Sequence, residues 1–152
     1  SMQGERLEAA KRELTNTITQ LPADRHFNLV VFNHRVNTWR TELAPAAAAT
    51  KQEAIQYVGY LRAVGSTATY DALEAALGFD VEAVYFVSDG QPTDGKIVDP
   101  GDILVALRRI NHTRRVSIYV IGVAPGAVGN QFDCFLHQLA QQSSALYRRV
   151  QQ

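Results

Sequence analysis

Two short segments hold the residue types that chemistry needs. In Gly65-Ser66-Thr67-Ala68-Thr69-Tyr70-Asp71-Ala72-Leu73 the hydroxyl of Thr67 stands at the mouth of a helix, and in Val84-Tyr85-Phe86-Val87-Ser88-Asp89-Gly90 the carboxylate of Asp89 closes an apolar run. Hydroxyl and carboxylate oxygens are the hard ligands that a magnesium-like ion takes. The apolar run before Asp89 and the glycine after it predict a side chain that emerges at the top of a central strand, where a lone carboxylate needs a cation or hydrogen-bond donors. Each residue also has a plainer reading. Asp89 can be a turn residue bonding its own backbone, and Thr67 can cap the helix that starts near Thr69. Both plain readings weaken when the two groups lie at adjacent strand-to-helix loops, because such loops converge on one crevice.

The elements that must position these groups follow from periodicity. Leu7, Ala10, Leu14, Ile18 and Leu21 recur at helical spacing from Glu5 to Gln20, and Pro22 closes the pattern. Phe27–Phe32 is a short apolar run, Asn33-His34 a turn, and Val36–Trp39 an alternating partner strand, which together predict a hairpin at a sheet edge. Thr50-Lys51-Gln52-Glu53 matches a reciprocal capping box and predicts a second helix starting there, with Ile55, Val58 and Leu61 on its apolar side. Leu73, Ala76 and Leu77 line a third, short helix, and Val81–Val87 reads as a strand buried on both faces. Asp99-Pro100-Gly101-Asp102 is a helix start, since proline suits the first helical position and acids favour the positive helix end. Val116–Val123 predicts another buried strand, Phe132, Phe135, Leu136 and Leu139 a last helix, and Ala145–Val150 an edge strand.

Strands alternating with helices imply right-handed crossovers and a largely parallel sheet covered on both sides. The expected architecture is one α/β domain over residues 1–152, doubly wound and Rossmann-like, with a mostly parallel sheet and one antiparallel edge strand. Ligands in such sheets sit outside the carboxyl ends of the strands, where Ser88-Asp89-Gly90 falls.

Composition narrows the function. At 152 residues the chain is long enough to hide roughly 68–70% of its unfolded surface. Fifteen basic residues balance fifteen acidic ones, so no net field draws nucleic acid or anionic lipid from a distance. The single cysteine, Cys134, cannot form an internal disulfide and is expected to be a buried small hydrophobe in a helix. No apolar run approaches the ~18 residues a bilayer crossing needs, and the chain as given reads as soluble, extracellular or cytoplasmic.

These motifs, in this order, resemble the von Willebrand factor A-type domain, also called the integrin I-like domain. Its metal-ion-dependent adhesion site draws on an Asp-x-Ser-x-Ser motif after the first strand, a threonine before a short helix, and an aspartate after the fourth strand. The resemblance assigns the threonine to Thr67 and the aspartate to Asp89. It also makes Ser1-Met2-Gln3-Gly4 the tail of the first motif, with Ser1 its last serine. What it implies is a binding function rather than turnover. Ser1, Thr67 and Asp89 would hold Mg²⁺, or Mn²⁺ or Ca²⁺, and leave a coordination position for an acidic side chain of a partner protein. The motif's first aspartate and serine, and the central strand that precedes them, are not in this sequence. In the family that strand lies between those at Phe27–Phe32 and Val81–Val87. Unpaired buried backbone groups each cost about 1–3 kcal/mol, so the expectation is that another polypeptide or a cleaved amino-terminal piece supplies the strand, or that the sequence is incomplete.

Competing chemistries lack their residues. A phosphoryl-accepting receiver needs a lysine at the end of a later strand, where Ile121-Gly122-Val123-Ala124-Pro125-Gly126 stands. No Gly-Lys-Ser/Thr string, glycine-rich dinucleotide turn or Gly-x-Ser-x-Gly elbow occurs. His26, His34, His112 and His137 are scattered over strands, turns and helices. A metal-free docking module of the same fold is the remaining alternative.

Overall fold

The computed structural model describes residues 4–150 apart from 33–35, 63–66, 89–90 and 124–125. Helix α1 spans Glu5–Gln20, with Glu5 and Glu8 in its first turn complementing the positive helix end, and stops where Leu21 turns extended ahead of Pro22. Four short strands follow: β1 (His26–Phe27), β2 (Val30–Phe32), β3 (Val36–Thr38) and β4 (Ala44–Pro45). β2 and β3 form the predicted antiparallel hairpin, with Val31 opposite Asn37, and β1 pairs antiparallel with β4. The Asn28 side chain joins the two pairs by bonding both the carbonyl and the amide of Arg40.

Helix α2 spans Ala48–Gly59, two residues ahead of the predicted start, and the capping box does not form. Ala47 occupies the cap position without a side-chain bond, and the alanines that follow are strong enough helix formers to draw Thr50 into the first turn. Helix α3 is Thr69–Leu77, β5 Ala83–Ser88, α4 Pro100–Asn111, β6 Ser117–Val123, α5 Gln131–Gln141 and β7 Tyr147–Val150. As predicted, Asp99 caps α4 by accepting from the Asp102 amide at 3.0 Å, with Pro100 in the first turn. Strands β5, β6 and β7 form a parallel sheet in that order, with Ser88 level with Gly122 and Val123 level with Val150. The α/β expectation holds.

The main core lies on one face of this sheet. Leu73 and Leu77 of α3, Ile103 and Leu107 of α4, and Leu136 and Leu139 of α5 pack with Ile118 and Val120 of β6, all nearly inaccessible to solvent. Burying each such aliphatic side chain contributes about 1.5–3 kcal/mol. A second, smaller cluster joins Ile18 of α1, Phe27, Leu29, and Ala54 and Val58 of α2, where the Trp39 ring stacks on Phe27 at 5.5 Å. At the carboxyl end of the sheet, Ala9 and Ala10 of α1 meet Val87 and Val123.

Two burial expectations fail. β5 is not buried on both faces: Phe86 and Ser88 are buried, but Tyr85 is 47% exposed, and Ala83, Val84 and Val87 are only partly covered. The reason is an open slot beside β5, described below. Cys134 is exposed, because the covered face of α5 holds Phe132, Phe135, Leu136, Leu139 and Ala140 and the thiol points away from it.

Candidate functional site

Thr67 precedes α3 and is buried at 4% exposure. Its amide donates to the Thr93 hydroxyl at 2.8 Å, while its carbonyl accepts from the amides of Thr93 and Asp94 at 2.9 and 3.1 Å. Thr93 and Asp94 belong to the loop that leaves β5, so the peptide unit of Thr67 is fixed on both sides to the segment that begins with Asp89. Asp89 and Ser1 themselves lie outside the described residues. The helix after Thr67 has Ala68 in its cap position, which offers no side-chain acceptor.

A second layer of bonds holds the same two loops together. Asp71 and Asp94 are half-buried and engaged: Asp71 accepts from the Lys96 amide at 3.0 Å, and Asp94 from the Gly95 amide at 2.7 Å. Gly95 has φ +99°, and a Cβ there would lie 3.0 Å from the Asp71 carboxyl, so only glycine fits that approach. Lys96 pairs with Glu74 at 2.7 Å and Tyr70 donates to the other oxygen of Glu74 at 3.0 Å. The Lys96 ammonium holds the Glu74 carboxyl below its usual range, and Glu74 in turn raises Lys96. The Tyr70 hydroxyl is pushed up, first by burial and then by its bond to Glu74. Among the described residues no group of three or more His, Cys, Asp or Glu side chains could hold a metal ion.

Beside this rim, a slot of about 830 Å³ separates Phe27–Val30 from β5. Leu14, Ile18 and Leu21 line it from the α1 side, and Ala72, Leu73 and Ala76 of α3 from the other. Near one end of the slot, Arg25 reaches Glu82 at 3.4 Å, linking the strand segments that flank it. On the sheet face that α1 only partly covers, Tyr85 stacks on Tyr119 at 5.1 Å.

One polar cluster escaped the sequence reading. Asp133 of α5, 8% exposed, accepts from the Gly129 amide at 2.8 Å, from the Tyr147 hydroxyl at 2.7 Å and from Arg149, which also donates to the Gly126 carbonyl. The Gly129 amide, assisted by Tyr147 and Arg149, keeps the carboxyl below its usual range, while burial and the Asp133 charge push the Tyr147 hydroxyl up. The cluster ties the β6–α5 loop and β7 together at the carboxyl end of the sheet. Its available signal was the alternation of Tyr147 and Arg149, which puts both on one side of a strand.

The family model of the von Willebrand factor type A domain matches residues 1–151. The chain belongs to that family. Among curated proteins, this von Willebrand factor type A chain is 26% identical to human inter-alpha-trypsin inhibitor heavy chain H4 over 99% of its own length and 17% of that protein's. It is 28% identical to human von Willebrand factor A domain-containing protein 3A over 71% of the chain and 10% of the relative. The chain therefore spans less than a fifth of these relatives. A solved von Willebrand factor type A structure from Catenulispora acidiphila superposes on 96% of this chain and 34% of its own, with TM-score 0.76 at 18% identity. Proximal thread matrix protein 1 from the mussel byssus superposes on 95% of this chain and 36% of its own, with TM-score 0.67 at 20% identity. Among the described residues no helix is long and apolar enough to cross a membrane.

Proposed function

We propose that this domain is a metal-dependent protein-binding module whose adhesion-type site is completed by an extended segment seated in the slot beside β5. The observation that carries the reading is the double anchoring of Thr67 to Thr93 and Asp94, in the loop that leaves β5. The donor chemistry fits Mg²⁺ or Mn²⁺: a carboxylate from Asp89 and hydroxyls from Thr67 and Ser1 are hard, oxygen-only ligands. Ser1 joins this set through the resemblance of Ser1-Met2-Gln3-Gly4 to the tail of the family's first motif. A bound Mg²⁺ would supply a Lewis-acidic position for the carboxylate of a partner protein. The chain's own residues position and orient that partner rather than transform it. Ser1, Thr67 and Asp89 together offer one negative charge, so affinity for the metal alone is weak.

The slot supports the second half of the reading. It is flanked by strand segments on two edges and by apolar helix faces on the other two, an arrangement that suits an extended segment able to pair its backbone on both sides and to bury apolar side chains on both faces. Such a segment running parallel to β5 would deliver its last residues to the rim beside Thr67.

Titration of the chain with Mn²⁺ and Mg²⁺ tests this reading, with and without a synthetic peptide of apolar β-branched residues ending in Asp-Gly-Ser. Peptide is expected to tighten metal binding at least tenfold, and Thr67→Ala or Asp89→Ala to remove that gain. Metal affinity indifferent to all three changes favours the metal-free docking alternative, and phosphorylation of Asp89 by a small phosphodonor favours the receiver.

A further inference from the structure

The turn between α4 and β6 concentrates positive charge that the rim does not use. Arg108, Arg109, Arg114 and Arg115 are all exposed, and the sequence holds no acidic residue between Asp102 and Asp133. Other arginines are matched: Arg25, Arg40, Arg148 and Arg149 each pair with a carboxylate. None of the ion pairs among the described residues involves the four at this turn. The negative end of α4 offsets Arg108 and Arg109, which stand in its last turn, whereas Arg114 and Arg115 lie beyond it.

The turn is held in shape. The Asn111 side chain donates to the Val116 carbonyl at 2.7 Å and accepts from the Val116 amide at 2.8 Å, which closes the segment 112–115 at its base. Arg114 donates to the Phe79 carbonyl, and the Arg115 amide bonds the Asn111 carbonyl at 2.9 Å. Arg115 has φ +55°, in the left-handed region where glycine or asparagine costs least. A long cation thus stands against local backbone preference, in a place where like charges already crowd one another. Backbone outliers of this kind gather at functional positions.

Placement and surroundings say what the patch can take. β6 runs from Ser117 to Val123, so the turn lies at its amino end, roughly 20 Å from the rim at the other end. Beside it, Asp80 and Glu82 are exposed, and the Glu82 carbonyl accepts from the Ser117 amide at 3.1 Å. These acids bound the patch, so a long polyanion with a charge at every repeat would run onto them. A short acidic segment would not.

We propose that the α4–β6 turn is a second interaction surface, which takes a short acidic segment of a partner polypeptide. Guanidinium groups meet carboxylates with two parallel bonds, and groups already held in place lose little freedom on binding. The surface is independent of the metal site and of the slot. Its partner carboxylates meet arginine directly and need no ion.

Fluorescence anisotropy with the labelled probe Gly-Glu-Asp-Glu-Asp-Glu-Gly, in the presence of a chelator, tests the surface apart from the metal site. The wild-type chain is expected to bind the probe, and to bind it more weakly as salt rises, since exposed charges are screened. Arg115→Gly is expected to melt at or above the wild-type temperature yet bind at least fivefold more weakly. Arg109→Gln is expected to weaken binding at least threefold, and Arg12→Gln, on α1, to stay within twofold of wild type. A wild-type chain that binds no probe, or equal losses in Arg115→Gly and Arg12→Gln, overturns the surface. Binding lost in Asp89→Ala moves the probe to the rim and also overturns it. Tighter binding of a single-stranded oligothymidylate or of phosphatidylserine vesicles overturns the choice of partner.

Discussion

On one side of the slot, three parallel strands pack against α3, α4 and α5 around Leu107, Ile118 and Leu136, and the polar groups at the rim are wired to fixed partners, as the Asp133 carboxylate is to Gly129, Tyr147 and Arg149. On the other side, two short antiparallel pairs rest on α1 and α2 through a smaller cluster. Between them, β5 leaves Tyr85 exposed and Ala83 and Val84 partly covered, and the nearby Thr69 hydroxyl has no partner. The slot is shaped by apolar side chains from α1, α3 and two strand segments. Stability therefore resides chiefly in the closed half, and the proposed function places binding at the slot and the rim above it.

Substitutions can break that contrast, beginning where the closed half is densest. Leu107→Ala, at a fully buried position of α4, is expected to cost about 2–5 kcal/mol by chemical denaturation. A cost under ~1 kcal/mol would mean that this core is as loose as the slot. Asp133→Ala strands the Arg149 guanidinium and the Tyr147 hydroxyl, and should cost about 2–3 kcal/mol. The acid is also a pH probe. Its carboxyl is depressed in the folded state, so its contribution is present above the unfolded value of about 3.9 and is lost as pH falls through the lower folded value. Asp133→Asn should accordingly flatten the acid limb of stability below pH ~4 relative to wild type.

Adding atoms sharpens the contrast further. At Gly122 a Cβ would lie 2.9 Å from both Leu136 Cδ1 and the Tyr147 hydroxyl, so Gly122→Ala is expected to cost about 1–3 kcal/mol. Ala76→Leu enlarges a residue that faces the slot, where room exists, and should change the stability of the free chain by no more than about 0.5 kcal/mol while abolishing peptide binding. Equal costs at Gly122 and Ala76 would erase the difference between the two regions.

Much of this was readable from residue order. The α/β alternation and the Asp99 cap follow from local rules, since each depends on neighbours in sequence. The failures share a cause. β5 reads as doubly buried because Val84, Phe86 and Val87 are apolar, but burial depends on what stands beside the strand, and there the slot opens. Cys134 looks like core because its neighbours are, and a shift of one residue around a helix turns it outward. The Asp133 cluster joins groups 14 and 16 residues apart, as a strand and a helix meet, and the alternation of Tyr147 and Arg149 shows only that those two share a side, not that Asp133 stands against them. The orphaned Thr69 hydroxyl lies two residues from Thr67 in sequence, and only its burial without a partner distinguishes it.

Amide hydrogen exchange, with and without the apolar peptide, tests most directly whether a strand completes this domain. An inserted strand predicts slowed exchange on both sides of the slot at once, in Phe27–Val30 and in Ala83–Val87, with little change in β7. Peptide binding that leaves both segments unchanged, or protects only one, would contradict it.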